Sequence, residues 1–176
     1  MNSTVDKYRD MIICLVTGCK KKNLEMYALY TSLWRNTTSI YKILHKKLEQ
    51  ELIVRNSSIL EYRILKIIDE VEMITMAQIA ERNYVTQAWI TGMIDKMEGK
   101  NLVKRNRSEE DRRVIYIEIT ESGKALLSDL KAVIDKTLYE NFSFVDLKEM
   151  EHLNSLLGTI KDNLIKNNEK LANDLK

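Results

Sequence analysis

The strongest constraint on this chain is a pattern between Thr75 and Thr120: two short helical stretches, each opened by a capping threonine, run into two β-patterned stretches around a charged turn. Thr75-Met76-Ala77-Gln78 is a T-x-x-Q capping box, in which hydroxyl and amide satisfy orphan backbone donors, so a helix is predicted from about Met76. Ile79 and small Ala80 form its inner face, and Asn83-Tyr84 makes a turn before Thr86 caps a second helix. Ala80, Val85 and Ile90 take the spacing at which two such helices cross. In the second helix, Ile90, Met93, Ile94 and Met97 form an i, i+3, i+4, i+7 apolar stripe. Opposite them lie Ala88, Gly92, Asp95 and Gly99. Glycine inside a helix costs about 1 kcal/mol relative to alanine. An outer face of small residues is therefore poor for stability and suited to close approach of a partner.

Leu102 to Arg105 reads as a strand and Val114 to Ile119 as its partner, with Ile115, Ile117 and Ile119 alternating against Tyr116 and Glu118. Between them, Asn106 to Arg113 is too polar to be core and reads as a hairpin tip. The whole chain is nearly neutral, with 28 basic and 26 acidic residues, so net charge is no nucleic-acid signal. Charge is instead local: Lys100 to Arg113 holds six basic residues and three consecutive acidic ones, Glu109 to Asp111. Two helices followed by a strand, turn and strand define a winged helix-turn-helix, within a mainly α (α+β) chain carrying a two-stranded wing. The small-residue face suits a helix in the DNA major groove, with Gln87, Trp89, Thr91 and Lys96 beside it. The wing would lay Arg107, Arg112 and Arg113 along a phosphate backbone or minor groove.

Asp111-x-Arg113-x5-Ile119-Thr120, followed by Gly123, resembles the D-x-R-x5-L-T-x-x-G signature of the MarR (multiple antibiotic resistance regulator) family of winged-helix transcription factors. The resemblance extends through Ala80, Val85-Thr86, Ile90-Thr91, Met97-Glu98, Leu102-Val103 and Arg105, and more loosely from Met26 to about Ile165. Three positions depart from the pattern. Asn101 replaces the usual glycine after the recognition helix, and asparagine is the next most tolerant of a left-handed cap. Ile119 replaces leucine, and Trp89 stands where a small hydroxyl residue is usual, which bears on the operator sequence.

The resemblance implies a DNA-binding regulator in which Thr86, Gln87, Ala88, Trp89, Thr91, Gly92 and Lys96 serve the major groove. Arg105, Arg107, Arg112 and Arg113 would hold the backbone and wing, with Asp111 buttressing Arg113. It also implies a homodimer on double-stranded DNA, at a pseudo-palindromic operator with half-sites about one helical turn apart. Repression by excluding polymerase is the default. A small aromatic or phenolic effector would bind between the dimer helices and the winged lobe, where Tyr27, Tyr30, Trp34, Arg35 and Tyr41, with Tyr62, offer rings and a cation.

Outside the lobe the chain is helical and repeat-free. Apolar residues recur at helical spacing from Asn23 to about Leu52, from Ser57 to Glu70, from Glu121 to about Tyr139, and from about Phe144 to Leu171. An amphipathic helix must bury its stripe, and the simplest partner for both chain ends is a second copy. The expected division is an N-terminal extension (1–22), a dimerisation region (23–52 and 121–176) and a winged lobe (53–120).

Catalysis has little support: His45 and His152 belong to no catalytic motif, and the five glycines form no phosphate-binding loop. No cofactor and no metal site is expected, since no close ligand cluster appears. Cys14 and Cys19 cannot make a disulfide framework. A redox role is an alternative: the peroxide-sensing branch of the family carries its thiol near the position of Met26, and Cys19 adjoins Lys20-Lys21-Lys22, whose charge lowers a thiol pKa. Cys14, within Met11 to Val16, resembles a small buried hydrophobe. That apolar run is far short of the roughly 20 residues of a membrane span, so a cytoplasmic protein with no membrane partner is expected. Two readings from other classes are an architectural protein that coats any duplex and a winged module that docks another protein.

Overall fold

The computed structural model describes residues 21–71, 73–111 and 113–174. Cys14, Cys19 and Arg112 lie outside the described residues. In chain order the elements are α1 (Lys21–Ile53), α2 (Ile59–Asp69), β1 (Ile74–Thr75), α3 (Met76–Asn83), α4 (Gln87–Gly99), β2 (Val103–Arg107), β3 (Ile115–Ile119), α5 (Glu121–Phe142) and α6 (Leu147–Asp174). They fall into two compact units that divide between Ile59 and Leu60.

The first unit is built on α1, a helix of 33 residues. Leu29, Leu33, Ile40 and Ile43, which supply its apolar spacing, are exposed. The helix ends at Asn56, whose φ of 53° is left-handed. There the Asn56 N–H donates to Ile53 O (2.9 Å) and the Ser57 N–H to Leu52 O (3.1 Å).

The second unit has one hydrophobic core. Ile64, Leu65 and Ile68 of α2 meet Ile79 and Ala80 of α3, Ile90, Ile94 and Met97 of α4, and Ile74, Val103 and Ile117 of the sheet. Fully burying such side chains stabilises by about 1.5–3 kcal/mol each, so this cluster fixes the two short helices, which would not persist alone. Thr75 caps α3 as a complete capping box, with Gln78 N–H donating to its hydroxyl and its own N–H donating to Gln78 Oε1 (2.9 Å). Thr86 caps α4 by accepting from Trp89 N–H. Met93, expected in the apolar stripe, is half-buried against the same core.

The expected two-stranded wing, β2 paired with β3, is part of a larger sheet. That sheet has three antiparallel strands in the order β1-β3-β2, with Ile74 opposite Ile117 and Val103 opposite Ile119. A strand of two residues carries no period for a sequence reading to find. One correction concerns β2, which begins at Val103 rather than Leu102 and runs on to Arg107, paired with Ile115. Leu102 instead closes a Schellman motif on α4: its N–H donates to Met97 O (2.9 Å), and that of Asn101 (φ 56°) to Glu98 O (2.9 Å). Both Leu102 and Met97 are buried, which supplies the apolar contact of that motif. The hairpin tip is therefore shorter than expected and is closed by Val114 N–H on Asp111 O (2.9 Å) and Ser108 N–H on Val114 O (3.0 Å).

Thr120 joins the sheet to α5. Its hydroxyl accepts from Gly123 N–H (3.0 Å) and donates to Asn101 O (2.6 Å), and its N–H donates to Leu102 O (3.1 Å). Helix α6 is amphipathic by sequence, yet Leu153, Leu157, Ile160 and Leu164, at i, i+4, i+7 and i+11, are all exposed. Among the described residues no helix is long and apolar enough to cross a membrane.

Candidate DNA interface

Helix α4 presents what the core does not claim. With Ile90, Ile94 and Met97 buried, Gln87, Ala88, Gly92, Asp95, Lys96 and Gly99 are exposed, and Trp89 is 50% exposed. A Cβ added at Gly92 or Gly99 would meet nothing within 4 Å, so neither glycine is required by the packing of the fold. Thr91 is half-buried, and its hydroxyl donates to Gln87 O (3.0 Å). Thr86 is occupied as the cap, which leaves its role at the interface that of fixing the helix N-terminus.

The tip of the wing is ordered by short polar contacts. Ser108 Oγ accepts from the N–H groups of Glu110 (3.2 Å) and Asp111 (3.3 Å), and Asp111 Oδ1 accepts from Arg113 N–H (2.9 Å). Asp111 Oδ1 also lies 3.8 Å from Arg113 Nε, whose side chain is 95% exposed. Arg107 is exposed at the end of β2. On the same hairpin, Lys104 Nζ lies 2.9 Å from Glu118 Oε2, and hydrogen bonds from Lys104 and then Asn106 hold the Glu118 carboxyl below its usual range.

Arg105, expected to help hold the backbone and wing, is engaged by two carboxylates. Its guanidinium pairs with Asp95 Oδ1 at 2.5 Å and with Glu98 Oε2, while its backbone N–H donates to Glu98 Oε1 (3.3 Å). Burial alone would lower its pKa, but the Asp95 hydrogen bond and the charge of Glu98 raise it. The carboxylates stand on α4, seven and ten residues before Arg105 in the chain. The Schellman turn at Asn101 folds them back together, so Arg105 ties the recognition helix to the wing. A second tie escaped the sequence reading: Lys100 Nζ lies 2.7 Å from Glu61 Oε1 of α2, and Glu61 is only 5% exposed. Both are salt bridges across chain reversals, for which one-dimensional spacing gives no signal.

Gly123 of the signature has a spatial reason. A Cβ there would overlap Leu102 O and approach Ile119 Cγ1 to 2.7 Å. The first turn of α5 thus packs directly on the backbone at the start of the wing.

The candidate effector residues are scattered between the units. Tyr27, Tyr30, Trp34, Arg35 and Tyr41 are exposed on α1, with the Tyr27 and Tyr30 rings edge-to-face at 6.5 Å. Tyr62, in the second unit, is half-buried. A cleft of about 310 Å³ in the second unit is lined by Ile68, Asp69, Glu118, Ile119 and Lys124 and contains none of these rings. No group of three or more metal-ligating side chains occurs among the described residues.

A capped helix pair on a shared core, an outward helix face of small residues and a hairpin with an exposed arginine define a winged helix-turn-helix protein. The sequence model of the MarR family matches residues 57–115. An organic hydroperoxide resistance transcriptional regulator of Bacillus subtilis is 32% identical over 149 residues, which are 85% of this chain and 95% of that protein. The transcriptional regulator BldR from Sulfolobus solfataricus is 34% identical with a TM-score of 0.64, over 74% of this chain and 95% of that one. A MarR variant from E. coli in complex with operator DNA is similar in fold, with a TM-score of 0.66 at 19% identity, over 73% of this chain and 93% of that one. The chain belongs to the MarR family, and is a DNA-binding transcriptional regulator rather than an enzyme.

Proposed function

We propose that this regulator acts as a homodimer on a pseudo-palindromic operator, placing α4 in the major groove and the β2–β3 wing on the flanking backbone, and that it represses transcription by excluding polymerase. The observation that carries this reading is the outward face of α4. Ala88, Gly92 and Gly99 are exposed there at a cost to helix stability, with Gln87, Trp89 and Lys96 beside them. Thr86 and Thr91 set the helix geometry, and Arg107, Arg112 and Arg113 serve the wing, with Asp111 holding the backbone of Arg113. The E. coli MarR variant named above was solved with operator DNA, which supports the same use of this fold.

Dimerisation is supported by the exposed apolar residues of α1 and α6, which a single chain leaves facing water. Residues 23–52 and 121–176 would form the dimer and 53–120 the DNA-reading lobe, in the cytoplasm where the DNA is. A small aromatic effector would act only by favouring a dimer geometry mismatched to the operator, with the exposed rings of α1 as candidate contacts. A second reading of the input is oxidation at Cys14 or Cys19, favoured by the name of the B. subtilis relative.

The test is binding of the purified chain to the duplex from its own upstream region against a scrambled duplex of equal length. Discrimination by roughly 10³ or more at physiological salt is expected, in a complex with the mass of a dimer. Equal binding to both duplexes would make this an architectural protein. Arg113→Ala should weaken binding with helical content intact, and Trp89→Ala should change preference among operator variants more than it changes the salt slope. Peroxide that releases the parent but not a Cys14→Ser, Cys19→Ser double variant would establish the redox input.

A further inference from the structure

Three helices of this protein end in the same way, and one of them uses a residue the geometry does not favour. After α1, α3 and α4 the chain turns through a left-handed residue, at Asn56 (φ 53°), Tyr84 (φ 56°) and Asn101 (φ 56°). At Tyr84 the pattern is complete: its N–H donates to Glu81 O (3.0 Å) and that of Val85 to Ala80 O (3.1 Å), with ψ at 41°. Glycine fits this conformation without penalty and asparagine tolerates it, whereas a bulky side chain is an outlier. The chain uses asparagine at the other two caps, so the fold alone has no call for tyrosine here. Nor does the ring serve the core: Tyr84 is 87% exposed, whereas Val85, next in the chain, is half-buried against the core.

Position supplies a use for it. Tyr84 lies in the turn of the helix-turn-helix, two residues before the Thr86 cap of α4. In such motifs the recognition helix meets bases through its N-terminal residues while the preceding helix crosses the sugar–phosphate backbone. The turn between them runs over that backbone, and tyrosine hydroxyls are among the groups that bond phosphate oxygens. We infer that Tyr84 is a backbone anchor: its phenol donates a hydrogen bond to a DNA phosphate at the edge of the groove that α4 enters. The inference rests on the docking of α4 proposed above. The strained cap is then retained because it holds the exposed ring where the DNA backbone would pass. A neutral donor to a phosphate releases no counterion and reads no base, so its signature differs from that of Arg113 or Gln87.

The experiment compares the full-length parent with Tyr84→Phe, Tyr84→Gly, Arg113→Ala and Gln87→Ala on the upstream duplex and its scrambled counterpart, across a salt series, with thermal melts of each protein. Tyr84→Phe should bind both duplexes roughly tenfold more weakly, as expected for losing a hydrogen bond to a charged group, with an unchanged salt slope. Tyr84→Gly should bind at least as weakly while melting no lower than the parent, because glycine relieves the left-handed cap. Affinity and stability then move independently, which a packing role for the ring does not allow. Parent-like binding by Tyr84→Phe overturns the hydrogen bond. A lower melting temperature for Tyr84→Gly with normal binding by Tyr84→Phe assigns the ring to the fold and overturns the anchor. If Gln87→Ala leaves duplex preference intact and Arg113→Ala leaves the salt slope intact, the docking of α4 fails and the anchor falls with it. If those two controls behave as stated and only the tyrosine variants are silent, the anchor alone is refuted.

Discussion

Replacing Gly123 by alanine tests whether the signature glycine is required by space or by backbone freedom. Gly123 is the third residue of α5, where alanine should gain about 1 kcal/mol of helix propensity. The structure opposes that gain, because a Cβ would overlap Leu102 O and approach Ile119 Cγ1 to 2.7 Å. Relief requires the start of α5 to move off the wing, at a cost of about 1–3 kcal/mol for overpacking. The same movement stretches the Thr120 hydroxyl bond to Asn101 O (2.6 Å) and the Thr120 N–H bond to Leu102 O (3.1 Å), each worth about 1 kcal/mol. The net expectation is a loss of roughly 2–4 kcal/mol, on the order of 10 °C in melting temperature for a chain of this size. Gly92→Ala is the matched control, since nothing lies within 4 Å of its added methyl. That variant should be more stable by about 0.5–1 kcal/mol and bind operator less well, because the methyl stands on the face proposed to meet DNA. Thermal and urea unfolding of both variants decides the matter. A Gly123→Ala protein as stable as the parent would refute the close-packing argument.

Arg105→Ala should weaken DNA binding without lowering the salt slope, and adding Glu98→Gln should restore part of the affinity by removing a carboxylate left unpaired beside the DNA; a slope reduced by about one would instead make Arg105 a phosphate contact. Glu118 is held below its ordinary pKa of 4.5, so its contribution to stability is present above that pH and is lost as pH falls through the depressed value. Melting temperature followed downward from about pH 4.5 should therefore fall less steeply for Glu118→Gln than for the parent, and parallel curves would count against the Lys104 and Asn106 bonds. Charged substitutions on the α6 stripe, Leu157→Asp with Ile160→Asp, should halve the mass seen by light scattering while the winged lobe stays folded. An intact dimer would place the interface elsewhere.

Much of the winged lobe was legible because its signals are local. A capping threonine with glutamine three residues on, an apolar stripe at 3.6-residue period and an asparagine after the helix each act within one or two turns of chain. Thr75, Thr86 and Thr120 open helices where the sequence indicated, and Asn101 takes the left-handed cap. The outward face of α4 was equally readable, since the buried stripe fixes which residues remain. Strand β2 runs two residues past the expected end at Arg105 because polar strand and polar turn look alike in composition, and only pairing with β3 separates them.

The sequence by itself determined the order and type of the helices and of the two wing strands, the helix caps and the residues that α4 exposes, because each is set by interactions among near neighbours. Tertiary structure decided the third strand β1, the commitment of Arg105 to Asp95 and Glu98, the burial of Glu61 against Lys100, and the closeness of Gly123 to Leu102. Each of these depends on where a chain reversal brings distant residues, and that geometry is fixed only when the core of α2, α3, α4 and the sheet closes.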